Sequence, residues 1–189
     1  MVLLGANPTG RVVEQHDYYF GIAEDLEQLV PAIKAFWPET GHTLHVDGWR
    51  EINYVDGYKI SVKKKTNMPP GSTGKHLFFI NLGGYTAGKL EEQHYTMLCI
   101  SDNPRDAVKY AKSSPFFVSN SIHTPSRAAV SHIDEKYGID VDDLFRVDDL
   151  LADDQKAIYT IEISPISDDF LTDEVHLGYL RLDKLHSRG

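Results

Sequence analysis

The sequence predicts an α+β protein made of two ββαββ repeats related by a pseudo-twofold axis. Each repeat has a largely antiparallel sheet and one helix, and a C-terminal strand extension follows. Three observations carry this expectation. The stretch "GRVVEQHDYYFGIA" at 10–23 returns as "GKLEEQHYTMLCIS" at 88–101, with five identities over fourteen residues, where ordinary composition gives about one. Within each half, β-rich runs give way to helical spacing and then return. Beyond residue 150 come two more strand-like runs with no counterpart in the first half. A unit of about 60 residues buries little surface and is marginal alone. Two copies packed face to face can share one core, because a twofold contact uses the same patch on both.

The elements follow in order. "MVLLGA" is a short apolar strand, "NPTG" a tight turn, and "VVEQHDYYFGI" a second strand rich in β-branched and aromatic residues. In "EDLEQLVPAIKAFW", Leu26, Leu29, Val30, Ile33 and Phe36 or Trp37 recur at helical spacing. Pro31 marks either a kink or the first turn of a helix that begins later, and Pro38 ends it. "HTLHVDGWREI" and "GYKISVK" close the first unit. In the second unit, "HLFFINL" and "EEQHYTMLCI" form the hairpin. "NPRDAVKYAKSS" is a helix capped by Asp102 or Asn103 with Pro104 at its first position, and "AVSHID" and "DLFRVDDLL" are the later strands. The glycine-rich "LGGYTAG" at 82–88 leads into a strand rather than a helix, so it reads as a hairpin loop and not a phosphate cradle. The expected divisions are a first repeat at 1–65, a linker at 66–75 through "PPGSTG", a second repeat at 76–150, and the extension at 151–189 packed on the repeats.

Composition narrows the function classes. A net charge of −9 argues against nucleic acid, whose binding rests on cationic contacts to phosphate. The "KKK" run at 63–65 reads as a solvated strand end. The lone Cys99, between Leu98 and Ile100, forms no intramolecular disulfide and reads as a small buried side chain. No secretory signal or membrane-length apolar run is present, so a cytoplasmic location without membrane association is expected.

Residues 10–60 carry a resemblance, with Glu14-Gln15-His16, Phe36-Trp37, His45-Val46-Asp47 and Trp49-Arg50 as its marks. They resemble the bacterial domain family of unknown function numbered 1543, whose members can carry the module in two copies. The second copy, at about 80–150, matches at Glu92-Gln93-His94 and His132-Ile133-Asp134 and departs where Trp49-Arg50 would stand. The resemblance implies a bacterial origin and no activity.

Residues two apart on a strand share a face. Glu14 therefore sides with His16, Glu92 with His94, His45 with Asp47 and Trp49, and His132 with Asp134. If the second and third strands of a half adjoin, each half gathers two histidines and two carboxylates. These eight residues (Trp49 aside) are the candidate ligand-binding set. Three readings compete: a scaffold hydrogen-bond network, a divalent metal site, and an acid–base pair. The scaffold network is favoured and the metal is not. No zinc-protease helix, phosphate loop or nucleophile elbow is present, so no catalytic residue is assigned and whether the chain is an enzyme stays open. The expected function is a non-catalytic ligand-binding or assembly module, with an enzyme or metalloprotein built on the duplicated Glu-Gln-His strands as the alternative. The expected partners are a small molecule or a protein, and a homodimer is compatible with the pattern.

Overall fold

The computed structural model describes residues 1–66, 74–85, 90–114, 139–167 and 171–185. They form three antiparallel sheets with few helices, divided between two units. No helix among the described residues is long and apolar enough to cross a membrane.

The first unit comprises residues 1–70 and 150–189. β1 (Val2–Ala6) is a central strand, pairing with β2 (Gln15–Tyr19) on one side and β3 (His45–Trp49) on the other. β10 (His176–Arg181) adds to the far edge of β3, giving the order β10-β3-β1-β2. Alternation along β1 sends Val2, Leu4 and Ala6 into a core with Tyr19, Leu29, Ile33, Leu44, Val46 and Leu182. Helix α1 (Val30–Phe36) covers that core with Ile33. Its start resolves the reading of Pro31, which sits in the first turn; the preceding residues Glu27–Leu29 form a 3-10 turn instead. β2 is shorter than expected because Val12 and Val13 are exposed and pair with no strand.

A second sheet of the first unit is made by β4 (Tyr54–Val55), β5 (Tyr58–Lys64) and β9 (Tyr159–Pro165). β5 and β9 pair over seven residues each, so the C-terminal segment belongs to this unit through two sheets. Lys63 and Lys64 are exposed at the end of β5, as a solvated strand end requires. The chain after β3 is tied to the same segment by Asp173. This nearly fully buried carboxylate pairs with Arg50 at 3.2 Å and accepts from the amides of Asn53 and Tyr54.

The second unit spans residues 71–149. β6 (His76–Tyr85) is its central strand, between β7 (Glu92–Ser101) and β8 (Ile139–Arg146). β6 and β7 pair from His76↔Ser101 to Tyr85↔Glu92, so residues 82–85, expected in a hairpin loop, belong to β6 instead. Helix α2 (Pro104–Lys112) is capped by Asn103, whose side chain accepts from Asp106 N at 3.0 Å. Ala107 and Ala111 of α2 pack with Phe78, Ile80, Leu82 and the buried Cys99. The expected strand "AVSHID", with His132 and Asp134, lies outside the described residues.

One expectation fails in the first unit. The second and third strands do not adjoin; β1 runs between them. The physical reason is the hairpin: "NPTG" folds β2 against one edge of β1, leaving the other edge for β3. In the second unit the expected third strand lies outside the described residues, and β6 runs between β7 and β8.

Candidate functional site

Glu14, His16, His45 and Asp47 meet over β1. Gly5 pairs with His16 on one flank and with His45 on the other, so both imidazoles stand beside a residue without a side chain. A Cβ at position 5 would run into the Asp47 carboxylate and the His45 ring. Glycine inside a strand marks such close approaches. With β1 interposed, the two flanking strands lie roughly 10 Å apart, and only an empty position between them lets the side chains touch.

Asp47 reaches the cluster through a bulge. β3 pairs Val46 with Leu4 and then Gly48 with Leu3, leaving Asp47 as the extra residue. Val46 keeps its place in the core while His45 and Asp47 turn to the opposite side. The same shift carries Trp49 back to the core side, where it packs against the buried cluster. The expectation that Trp49 shares the face of His45 and Asp47 is thereby corrected. Strict alternation fails at a bulge.

The four groups form a closed ring. His45 Nε2 lies 3.2 Å from Glu14 Oε1 and 3.3 Å from Asp47 Oδ1. His16 Nε2 lies 3.3 Å from Asp47 Oδ2 and 3.8 Å from Glu14 Oε2. Each imidazole thus faces both carboxylates, and each carboxylate presents a different oxygen to each imidazole. His45 is buried, and its Nδ1 sits 2.8 Å from the Thr43 carbonyl, which can only accept. That contact places a ring proton on Nδ1 and turns Nε2 toward two carboxylate oxygens. Asp47 Oδ2 is itself buried and accepts no hydrogen bond, despite the nearness of His16. Two carboxylates thus converge on two imidazoles, with one carboxylate oxygen left without a donor. The ring of Tyr179 on β10 lies against His45 with centroids 4.5 Å apart, and Asn7 Nδ2 donates to Glu14 Oε1 at 3.4 Å.

The second unit repeats much of this geometry. Gly83 pairs with His94 as Gly5 pairs with His16, both at an offset of 78 residues. The register of β6 with β8 shifts between Asn81 and Leu82, the positions offset by 78 from Leu3 and Leu4. The extra residue on β8 is Asp142, which stands where Asp47 stands, and a Cβ at position 83 would collide with its carboxylate. His94 Nε2 lies 3.8 Å from Glu92 Oε2, and its Nδ1 lies 3.5 Å from Asp142 Oδ2. One donor atom from each of Glu92, His94 and Asp142 falls within 4.8 Å of the other two.

Five of the six described candidates, Glu14, His16, His45, Asp47 and His94, thus lie against a partner from another strand of their sheet, and Glu92 joins through its own strand neighbour His94 and Asp142. Reading residues alone missed Asp142, Gly5, Gly83, Thr43 and Tyr179. A signal existed for the first: Val141-Asp142 repeats the Val46-Asp47 dipeptide. Asp140 holds the register position of His45, opposite the glycine.

Comparisons with known proteins add a family and a fold. Residues 11–62 match the family described as Domain of Unknown Function (DUF1543), a stretch that includes Glu14, His16, His45 and Asp47. The match shows one copy of that domain, where the sequence resemblance implied two. No curated protein matches. Among solved structures, the crystal structure of a protein Il1583 from Idiomarina loihiensis is similar, with a TM-score of 0.61 and 22% identity. The likeness covers 96% of this chain and 94% of that one and concerns the fold alone.

Proposed function

We propose that the protein is a binding module whose first unit holds a divalent transition-metal ion between Glu14, His16, His45 and Asp47. The observation that carries this reading is the buried His45, whose Nδ1 is held by the Thr43 carbonyl while its Nε2 faces two carboxylate oxygens at 3.2 and 3.3 Å. Two carboxylates converging on imidazole nitrogens call for a cation among them. Ligand atoms around a tetrahedral zinc, each about 2.0–2.1 Å from the ion, stand roughly 3.3 Å from one another. Three of the four imidazole–carboxylate separations have that length, each carboxylate turning a different oxygen to each imidazole, so binding would draw one oxygen of each toward the ion. The Thr43 carbonyl plays the outer role that orients a metal-bound histidine, by accepting from the nitrogen that does not face the ion. Two imidazoles and two carboxylates suit zinc, cobalt or nickel better than calcium or magnesium.

This reading prefers metal binding to the scaffold network favoured by the bare sequence. A scaffold network would pair the Asp47 oxygens with donors, and one of them has none. It also treats the two strand–glycine–strand arrangements as copies of one ancestral unit, supported by the shared offset of 78 residues in both pairing and bulge. Binding is the function proposed. A catalytic role would need a positioned substrate group, and no observation favours one.

The test is metal titration of the full chain, purified without affinity histidines and stripped with chelator. Zn2+ at about a hundred times its dissociation constant should stabilise the fold by about 2.7 kcal/mol. His45→Ala should remove one equivalent of bound Zn2+. Zinc binding that is absent, or indifferent to His45→Ala, would sink the proposal.

A further inference from the structure

We infer that the second unit carries a separate site, built from Glu92, His94 and Asp142, that takes a harder divalent cation than the first. The inference extends the metal reading of the first unit to a different donor set. Its test is arranged so that either can fail alone.

Three observations lead to it. The donor atoms of Glu92, His94 and Asp142 lie within 4.8 Å of one another, close enough for one ion to touch all three. The backbone repeats the device that builds the first site, with a glycine on the central strand and a bulged aspartate beside it. Gly83 leaves the space that the Asp142 carboxylate occupies. Finally, Asn81 Nδ2 is 3.2 Å from His94 Nδ1 and 3.3 Å from Asp143 Oδ2. An amide nitrogen only donates, so His94 Nδ1 accepts from Asn81 while Asp142 Oδ2 lies 3.5 Å from the same nitrogen; an ion at Nδ1 would take the place of that amide hydrogen bond.

The donor chemistry separates the two sites. Where β3 sets His45 opposite the central glycine, β8 sets Asp140. The second site has one imidazole and two carboxylates among the described side chains. Imidazole nitrogen favours zinc, nickel and copper, whereas carboxylate and water oxygens favour manganese, magnesium and calcium. His94 is half exposed, unlike the buried His45, so an ion at the second site keeps waters in its shell. Mn2+, which accepts both imidazole and carboxylate, is the fitting probe.

The experiment uses the full chain without affinity histidines, stripped with chelator, and follows free Mn2+ by electron paramagnetic resonance. One equivalent should bind. Asp142→Asn, nearly the same in shape, should weaken Mn2+ at least tenfold, while His45→Ala leaves it within twofold. Circular dichroism of each variant checks the fold. Mn2+ that fails to bind, or binds equally to Asp142→Asn, overturns the inference. If Zn2+ still loses one equivalent in His45→Ala while Mn2+ binds nowhere, the first site stands and the second falls. If Mn2+ responds to Asp142→Asn while Zn2+ ignores His45→Ala, the reverse holds.

Discussion

His16 and His45 flank the same residue, Gly5, which pairs with each across a different edge of β1. Two histidines 29 positions apart in the chain become neighbours because the position between them has no side chain. The first prediction follows directly. Gly5→Ala places a methyl where the Asp47 carboxylate and the His45 ring lie, so the ring of four must open. Zinc binding should fall at least tenfold. The fold should lose about 1–3 kcal/mol by overpacking, read as a drop in the denaturant midpoint with unchanged slope. Wild-type zinc affinity in Gly5→Ala would contradict the site geometry.

Asp47→Asn separates a metal site from a scaffold. A buried oxygen with no hydrogen-bond partner contributes nothing to stability through that oxygen and costs desolvation. Replacing the carboxylate by an amide should change the stability of the metal-free chain by less than about 1 kcal/mol. The same variant should lose the thermal shift that Zn2+ gives the wild type. Calorimetry with and without Zn2+ checks both halves. A large loss of metal-free stability would favour a purely structural network.

How much of this was legible beforehand depends on which residues are asked about. The repeated Glu-Gln-His phrase located β2 and β7, and alternation along them correctly sided Glu14 with His16. Gly5 and Gly83 share the offset of 78 residues, yet a glycine in a short apolar strand reads as a weak β-former. Its meaning needed the strand order, which puts β1 in the middle. Strand order is set by long-range pairing and is not written in local periodicity. The bulge was equally hidden. A single extra residue leaves the sequence pattern looking regular while it moves Trp49 to the core and Asp47 to the site. The counterpart of Asp47 was sought at Asp134 because His132-Ile133-Asp134 imitates His45-Val46-Asp47. Among the described residues, pairing with β6 puts Asp142 at the bulge, where Val-Asp recurs without the imidazole; Asp134 lies outside them.

Asp173 should prove critical to the first unit for a different reason. It is buried against Arg50 at 3.2 Å and accepts from two backbone amides, so removing it strands a guanidinium and two N–H groups at once. Arg50 is about a quarter exposed, and water screens part of that loss. Asp173→Ala should destabilise by about 3 kcal/mol, near the low end for breaking a buried pair. Asp173→Asn, which keeps acceptor oxygen for an amide, should cost less. Equal effects of the two variants on the unfolding midpoint would show that the charge, and not the amide hydrogen bonds, holds the segment.

The N-terminal amine supplies a pH dependence. Met1 N donates to the Arg50 carbonyl at 3.1 Å, and burial, reinforced by the Arg50 guanidinium, lowers its pKa from the ordinary 8.0 to about 6. The folded chain then favours the neutral amine, and between these values the unfolded chain binds more protons. Stability therefore rises with pH through this window. The cost of burying the amine is felt in full below pH 6 and relieved above pH 8, a span of about 2–3 kcal/mol. The measurement isolates this contribution by comparing the free amine with an acetylated N-terminus. Between pH 6 and 8 the free-amine chain should gain stability more steeply than the acetylated one, whose terminus carries no proton to lose. Parallel pH profiles for the two forms would mean that the amine is solvated as freely in the folded chain as in the unfolded one.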